Sequence, residues 1–139
     1  MSDRALADDV WRAMAAVVFD NRDDWKRAVI ERTGLPFSRV RVLRRLSSRS
    51  MTAKELAAAA TMDAPATTVA LNDLEERGLV VRQADPTNRR SKLISLTDAG
   101  RDVIAAIDQL DDPAPAAIAA LSAAELRTLR DILAKLEQR

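Results

Sequence analysis

Arginine, lysine and small polar side chains are the residues of this chain that could do chemistry, because cysteine and histidine are absent. Their absence excludes a disulfide, a thiol nucleophile, an imidazole base and a Cys/His zinc site. No pairing of a nucleophile with a base can be identified along the sequence. We therefore expect a protein that is not an enzyme and that uses neither a metal nor another cofactor.

The basic residues are concentrated in two segments, although the net charge of the chain is only +1. Residues 35–54 contain six basic and no acidic residues, and residues 79–92 contain four basic residues and one acidic residue. Basic segments set apart from acidic ones favour a surface that binds a polyanion. An unevenly charged surface that is merely solvated is the alternative.

The elements that must position these residues are mostly helices. The sequence is rich in alanine and contains only 3% aromatic residues, which favours closely packed helices. Apolar residues at helical spacing predict one long amphipathic helix over residues 5–29, whose stripe we expect to pair with the C-terminal helices or with a second subunit. Shorter helices are predicted over residues 36–47, 52–60, 63–77, 98–110 and from 122 onward.

The middle of the chain has the element order of a winged helix-turn-helix. Thr52 and Glu55 form the pattern of a capping box, Asp63 can cap the next helix, and Gly78 ends it. Two β-rich runs around a basic, turn-forming segment then predict a hairpin, called the wing below. Its loop is longer than the two-residue minimum, so we expect the tip to project. In such a unit the second helix fits the major groove of DNA, and the wing sets cations against phosphates or the minor groove.

Two motifs carry a family resemblance: Leu74-Glu-Glu-Arg-Gly-Leu79 and Asp85-Pro-Thr-Asn-Arg-Arg-Ser-Lys-Leu-Ile-Ser-Leu-Thr-Asp-Ala-Gly100. They resemble the multiple-antibiotic-resistance-regulator (MarR) family of bacterial transcription factors. The order of elements matches over nearly the whole chain. The resemblance implies a mainly α-helical fold with a small β-hairpin, in a single domain over residues 1–139. Within it, residues 35–97 would form the winged helix-turn-helix DNA-binding region, and residues 1–34 and 98–139 the helical dimerisation region.

The resemblance also implies which residues contact DNA. An arginine corresponding to Arg90 enters the minor groove in the family, and an aspartate two residues earlier holds it. Here that position is Asn88, whose uncharged amide should hold the arginine more weakly. The predicted DNA-contacting residues are Pro65, Thr68, Val69, Asn72, Asn88, Arg89, Arg90 and Lys92. For those on the helix, an ordinary solvated helix surface is the alternative; Arg89 and Lys92 are expected to contact phosphates.

Three residues are candidates for binding a small ligand. Some members of the family bind small aromatic carboxylates, which makes Arg39, Trp11 and Trp25 the candidates for contacting a small aromatic or anionic ligand. Arg39 lies within the apolar stripe of its helix, and the alternative is that its stem packs there while its head reaches solvent or a carboxylate. For both tryptophans the alternative is ordinary packing in the core or in the dimer.

The sequence as a whole predicts a sequence-specific transcriptional regulator. We expect a ligand-responsive repressor that binds double-stranded DNA as a homodimer at an inverted-repeat operator. The alternative is a winged-helix module that binds a protein partner and no DNA. No apolar run approaches the ~18 residues of a membrane span, and the N-terminus MSDRALADDV is too polar for a signal peptide. No membrane partner is therefore expected, and the location should be cytoplasmic.

Overall fold

Eight helices and three short strands follow one another in the computed structural model, which describes residues 2–137. In chain order they are α1 (Asp3–Asp20), α2 (Asp23–Thr33), α3 (Phe37–Leu46), β1 (Met51–Thr52), α4 (Ala53–Ala59), α5 (Ala64–Glu76), β2 (Val80–Asp85), β3 (Asn88–Leu96), α6 (Asp98–Asp108), α7 (Ala116–Ala119) and α8 (Ala123–Glu137). The mainly α-helical class with a small sheet is confirmed. Arg22–Leu110 form one compact unit, called the central unit, and the segments Met1–Asn21 and Asp111–Arg139 form the terminal unit.

One apolar cluster forms the core of the central unit. In α3 the residues Val40, Leu43 and Leu46 are buried, at the spacing that predicts a helix with one inner side. The buried residues of α5 are also those that helical spacing predicts: Thr67, Ala70, Leu71 and Leu74. Because these four side chains face the core, the opposite side of α5 is left to solvent.

Capping residues fix where α4 and α5 begin. Thr52 Oγ1 accepts from the Glu55 backbone N–H at 3.2 Å, and Glu55 Oε1 accepts from the Thr52 backbone N–H at 3.2 Å, which confirms the capping box. Arg49 donates to the other carboxylate oxygen of Glu55 at 2.9 Å, and this bond together with those from Thr52 lowers the pKa of Glu55. Asp63 caps the first turn of α5 at 2.7 Å, and Gly78 after its end adopts a left-handed φ of +75°, both as predicted.

The first helix is shorter than its apolar pattern suggests, and the prediction of one long N-terminal helix is wrong. α1 ends at Asp20, and α2 begins at Asp23. Between them, Asn21 Nδ2 donates to the Val17 carbonyl at 2.7 Å, so a side chain binds a carbonyl at the end of the helix. Asp23 and Asp24 then lie in the first turn of α2, where carboxylates are favourable.

The three strands form an antiparallel sheet in the order β1-β3-β2. The hairpin of β2 and β3 is confirmed, but the expectation of a loop longer than two residues is wrong, because Asp85 pairs with Asn88 and leaves two residues between them. The register shifts between Ala84, which pairs with Lys92, and Asp85, so residues 89–91 bulge without a paired residue on β2. The Asp85 carboxylate accepts from the Thr87 backbone N–H at 2.9 Å and from its hydroxyl at 2.8 Å, which closes the turn and lowers the pKa of Asp85. The basic residues that follow therefore lie in β3.

The Leu-Thr-x-x-Gly motif joins the wing to α6. Thr97 Oγ1 donates to the Gly78 carbonyl at 2.6 Å and accepts from the Gly100 N–H at 3.1 Å, so it caps α6 while binding the turn after α5. A Cβ at Gly100 would clash with the carbonyl oxygen of Leu79. This position therefore requires glycine for a close approach of two backbones.

The helices of the terminal unit bury no residue within the described range. Apolar side chains lie exposed along its two long helices: Leu6, Val10, Trp11, Val17, Val18 and Phe19 in α1, and Ile132 and Leu136 in α8. Ser122 and Glu125 form the predicted capping box before α8, with hydrogen bonds of 3.0 and 3.1 Å. Among residues 2–137, no helix is both long enough and apolar enough to cross a membrane.

Candidate nucleic-acid interface

The solvent side of α5 carries the four residues that the sequence predicts to face DNA. Pro65 lies in the first turn, and Thr68, Val69 and Asn72 follow at helical spacing. All four are exposed, and Val69 is 58% exposed although it is apolar. We call these four residues the recognition face. It is the side of α5 that remains open after the inner side has packed into the core.

Hydrogen bonds within the protein decide which groups of the recognition face are left for a ligand. Thr68 Oγ1 donates to the Ala64 carbonyl at 3.0 Å, so the hydroxyl hydrogen is used within α5 and the oxygen remains an acceptor beside a methyl group. Val69 offers methyl groups alone. Asn72 Oδ1 accepts from Arg82 Nη2 at 2.7 Å. The face thus combines small apolar groups with a few polar atoms of defined direction.

The wing carries its cations on β3. Arg89, Arg90 and Lys92 are exposed along this strand. Asn88 Oδ1 accepts from the Arg90 backbone N–H at 3.1 Å, and Asn88 Nδ2 donates to the Ser91 hydroxyl at 3.2 Å. The Asn88 amide therefore orders the backbone beside Arg90, whereas the family resemblance implies a contact with the guanidinium.

Arg82 of β2 connects the wing with α5, and the sequence does not predict it as a site residue. Its Nη2 binds Asn72, and its Nε lies 3.2 Å from Glu75 Oε2 in an ion pair whose angle does not suit a hydrogen bond. In the sequence, the sign that Arg82 could be a site residue is that it is a basic residue inside a β-rich run. Spacing alone cannot show that its side chain reaches a helix ten residues earlier.

A groove of about 280 Å³ lies between the start of α4 and the wing. Thr52 and Lys54 line it from one side, and Arg82, Ser91 and Lys92 line it from the other. Three of its lining residues are basic, so the groove lies in a positively charged part of the central unit. Through Arg82 this groove adjoins the recognition face.

The segment that forms these surfaces also matches a known family. Residues 33–91 match the sequence model of the MarR family, from the last residue of α2 into β3. This segment of the chain is similar to the MarR family. The match spans the helix-turn-helix and most of the wing, so it confirms the resemblance that the two sequence motifs indicate.

Solved structures share the fold over most of the chain. Apo MarR from E. coli is 23% identical, with 89% of this chain and 94% of that chain covered and a TM-score of 0.71. A probable transcriptional regulator from Pseudomonas aeruginosa is 29% identical, with 88% and 95% covered and a TM-score of 0.57. A MepR mutant from S. aureus bound to an oligodeoxyribonucleotide is 19% identical, with 92% and 96% covered and a TM-score of 0.59. These likenesses confirm the winged-helix MarR fold.

Beside the recognition face, Arg39 binds a carboxylate of α5. Arg39 Nε lies 3.0 Å from Asp73 Oδ2, and Arg77 Nε lies 3.1 Å from Asp73 Oδ1. The guanidinium of Arg39, followed by that of Arg77, lowers the pKa of Asp73. With 18% of its side chain exposed, Arg39 has the arrangement in which the stem packs and the head reaches a carboxylate.

The two tryptophans predicted to bind a ligand lie in different units of the MarR fold. Trp25 packs edge-on against Phe37 with 5.9 Å between the ring centroids, and the Arg22 guanidinium lies 4.1 Å from its ring. Trp11 of α1 is 69% exposed. A ligand-binding role for Arg39 and the two tryptophans stays a prediction.

Proposed function

We propose that this chain is a sequence-specific DNA-binding regulator of transcription that binds an inverted-repeat operator as a homodimer. The observation that carries the proposal is the joint exposure of the recognition face and the wing cations in one compact unit, where Arg82 connects them. The MarR-family fold supports this function. So does the oligodeoxyribonucleotide bound by the MepR mutant of the same fold.

In this proposal the recognition face of α5 and the wing contact different parts of the DNA. α5 spans 13 residues and enters the major groove with Thr68, Val69 and Asn72 toward the base edges. Its small apolar groups suit thymine methyls, and it carries no cation on this side to attract phosphates. The phosphate attraction comes from Arg89 and Lys92 on the wing, while Arg90 enters the minor groove.

The terminal unit supplies the homodimer contact. Its helices expose a row of large apolar side chains, and α8 carries a shallow apolar groove along Leu126, Leu129 and Leu133. A second copy offers the same surfaces, so a two-fold interface buries both sets at once. Two-fold symmetry then sets the half-sites about one helical turn of DNA apart.

The finer proposal is a repressor that a small aromatic or anionic ligand releases from DNA. Arg39 is the candidate cation, and its partner Asp73 lies on α5. An anion that binds Arg39 therefore competes with Asp73 for the guanidinium and weakens a contact that holds α5 in place. Trp25 of the same unit is the candidate aromatic contact, and Trp11 of the terminal unit is a separate candidate.

The experiment is the selection of genomic DNA fragments by the full chain at two salt concentrations, followed by sequencing. We expect one inverted repeat to be enriched and the affinity to fall as salt rises, because phosphate contacts release counterions. The double variant Arg89→Ala/Arg90→Ala should lose most of this binding. Arg27→Ala/Arg32→Ala in α2 removes the same charge outside the site and should bind almost normally.

The outcome also decides between the two classes of function. A chain that enriches no fragment at either salt concentration contradicts DNA binding and favours the winged-helix module with a protein partner. Equal losses in the two double variants would show that net charge, rather than the wing, attracts DNA.

A further inference from the structure

One guanidinium connects the wing to two residues of α5. Arg82 Nη2 donates to Asn72 Oδ1 at 2.7 Å, and Arg82 Nε lies 3.2 Å from Glu75 Oε2. Asn72 and Glu75 lie three residues apart and are therefore neighbours on the same side of the helix. The backbone of Arg82 is paired with Ile94 in the sheet. Arg82 is thus held by the sheet at its backbone and by the Glu75 carboxylate at its guanidinium.

The chemistry of the guanidinium fixes the orientation of the Asn72 amide. Arginine donates hydrogen bonds and accepts none, so the amide atom that faces Arg82 has to be the oxygen. Nδ2, with its two hydrogens, then forms the other arm of the planar amide. Asn72 is exposed on the recognition face, and with its oxygen bound to Arg82 the donor arm is the one left for a base. The charge of Glu75 retains Arg82 in place when DNA phosphates compete for it.

The four bases offer different partners to such an amide. The usual asparagine contact with adenine is bidentate, with Oδ1 accepting from N6 and Nδ2 donating to N7. This contact needs both arms of the amide on the DNA side. Guanine presents two adjacent acceptors in the major groove, O6 and N7, and one donor arm can bind both. An amide whose oxygen is held by the protein therefore favours guanine over adenine.

We infer that Asn72 reads a guanine in each operator half-site and that Arg82 is the positioning residue that sets this preference. The inference rests on the proposed DNA-binding function and adds to it the base that is read. Arg82 acts through Asn72, so its removal should change which base is preferred as well as how tightly DNA is bound. A merely structural role for Arg82 would lower the affinity for all sequences alike.

The test is selection from a randomised inverted repeat, followed by affinity measurements on matched guanine and adenine operators. The wild type should prefer guanine by about tenfold at one position in each half-site, and Asn72→Ala should abolish that preference. Arg82→Met retains a long apolar stem without the donors, so the guanine-to-adenine ratio should fall to about one or below.

Arg89→Met is the matched control. It also removes one cation from the wing, but Arg89 contacts neither Asn72 nor Glu75. It should weaken binding to both operators by the same factor and leave the ratio unchanged. Glu75→Gln removes the ion pair and retains the hydrogen bond to Asn72, so it should lower the ratio by less than Arg82→Met does. If thermal unfolding shows that Arg82→Met is not folded, Glu75→Gln and Arg82→Gln take its place, and both should lower the ratio, since a glutamine can also accept a hydrogen bond and no longer fixes which atom of Asn72 faces it.

Each result bears on the inference. An unchanged base preference in folded Arg82 variants overturns it and leaves the proposed function intact. A wild-type preference for adenine at the position that Asn72→Ala affects also overturns it. A wild type that enriches no sequence overturns the inference together with the proposed function. In the Asn72→Ala background, Arg82→Met should leave base preferences unchanged, and a further change there would contradict action through Asn72.

Discussion

The central and terminal units place similar apolar patterns in opposite surroundings. Within residues 2–137, every buried residue falls between Val29 and Ile107, inside the central unit. α1 and α8 also repeat apolar residues at helical spacing, yet none of theirs is fully buried, and several are exposed. Periodicity therefore predicts that one side of a helix is apolar. Whether the same chain covers that side depends on the elements that pack against it.

This difference separates two sources of stability. The core of the central unit is formed by one chain, so its contribution to the free energy of unfolding is independent of protein concentration. The apolar rows of the terminal unit gain their stability from a second copy in the proposed dimer. Their contribution should rise with protein concentration by mass action.

The largest expected effect comes from a substitution that creates a cavity in the core. Leu43 is fully buried, and Leu43→Ala should cost about 2–5 kcal/mol of unfolding free energy at every protein concentration. Ile132 of α8 is 50% exposed, so Ile132→Ala should lower stability chiefly at protein concentrations high enough for the wild type to dimerise, and have little effect in dilute solution. Chemical unfolding at two concentrations, together with light scattering, measures both. An Ile132→Ala effect that does not depend on concentration would contradict an interface on α8.

The sequence predicts those features of the fold that depend on residues close together along the chain. Spacing within one helix predicts the inner side of α5, and local pairs such as Thr52 with Glu55 predict where helices begin. Helical spacing does not predict the end of α1 before Asn21, because the apolar stripe continues while the Asn21 side chain binds the Val17 carbonyl. Strand β1 is not predicted either, because two residues carry no period.

The candidate site shows the same limit. The recognition face is predictable, since its residues are what remains once the core-facing positions of α5 are assigned. The contact of Arg82 with Asn72 joins residues on different elements, and no periodicity specifies such a pair. The pairing of Asp85 with Asn88 depends on the Asp85 side chain closing the turn, which shortens the loop.

The next prediction concerns the DNA-binding surface of the central unit. Arg90→Ala should weaken binding most on operators with A·T-rich flanks, because a narrow minor groove attracts a cation most strongly. Arg89→Ala should weaken binding to all DNA alike and reduce the salt slope by about one unit. Titrations of operators with A·T-rich and G·C-rich flanks at several salt concentrations compare the two variants. Equal flank dependence for both would refute a minor-groove role for Arg90.

A smaller effect should come from the ion pairs of Asp73, which stabilise the central unit without a second subunit. Its pKa lies below the ordinary 3.8, owing to Arg39 and then Arg77, so the charged carboxylate stabilises the fold above that pH. The stabilisation is lost as the pH falls through the lowered pKa. Asp73→Asn should therefore be less stable than the wild type at neutral pH, and the difference should shrink below pH 3.8. Urea unfolding across this range measures it, and a constant difference into acid would exclude the ion pairs as the cause.

The smallest effect is expected from Asn88→Asp in the wing. The Asn88 oxygen binds the backbone N–H of Arg90, so the contact remains when the Arg90 side chain is removed. An aspartate retains this acceptor, loses the amide donor to Ser91, and adds a negative charge near phosphates. We therefore expect a small loss of DNA affinity, of nearly the same factor with Arg90 present and in an Arg90→Ala background. A double-mutant cycle measures the coupling, and a value above about 0.5 kcal/mol would show that residue 88 acts on the guanidinium. A coupling below that value would mean that Asn88 orders the wing of this chain through the backbone of Arg90.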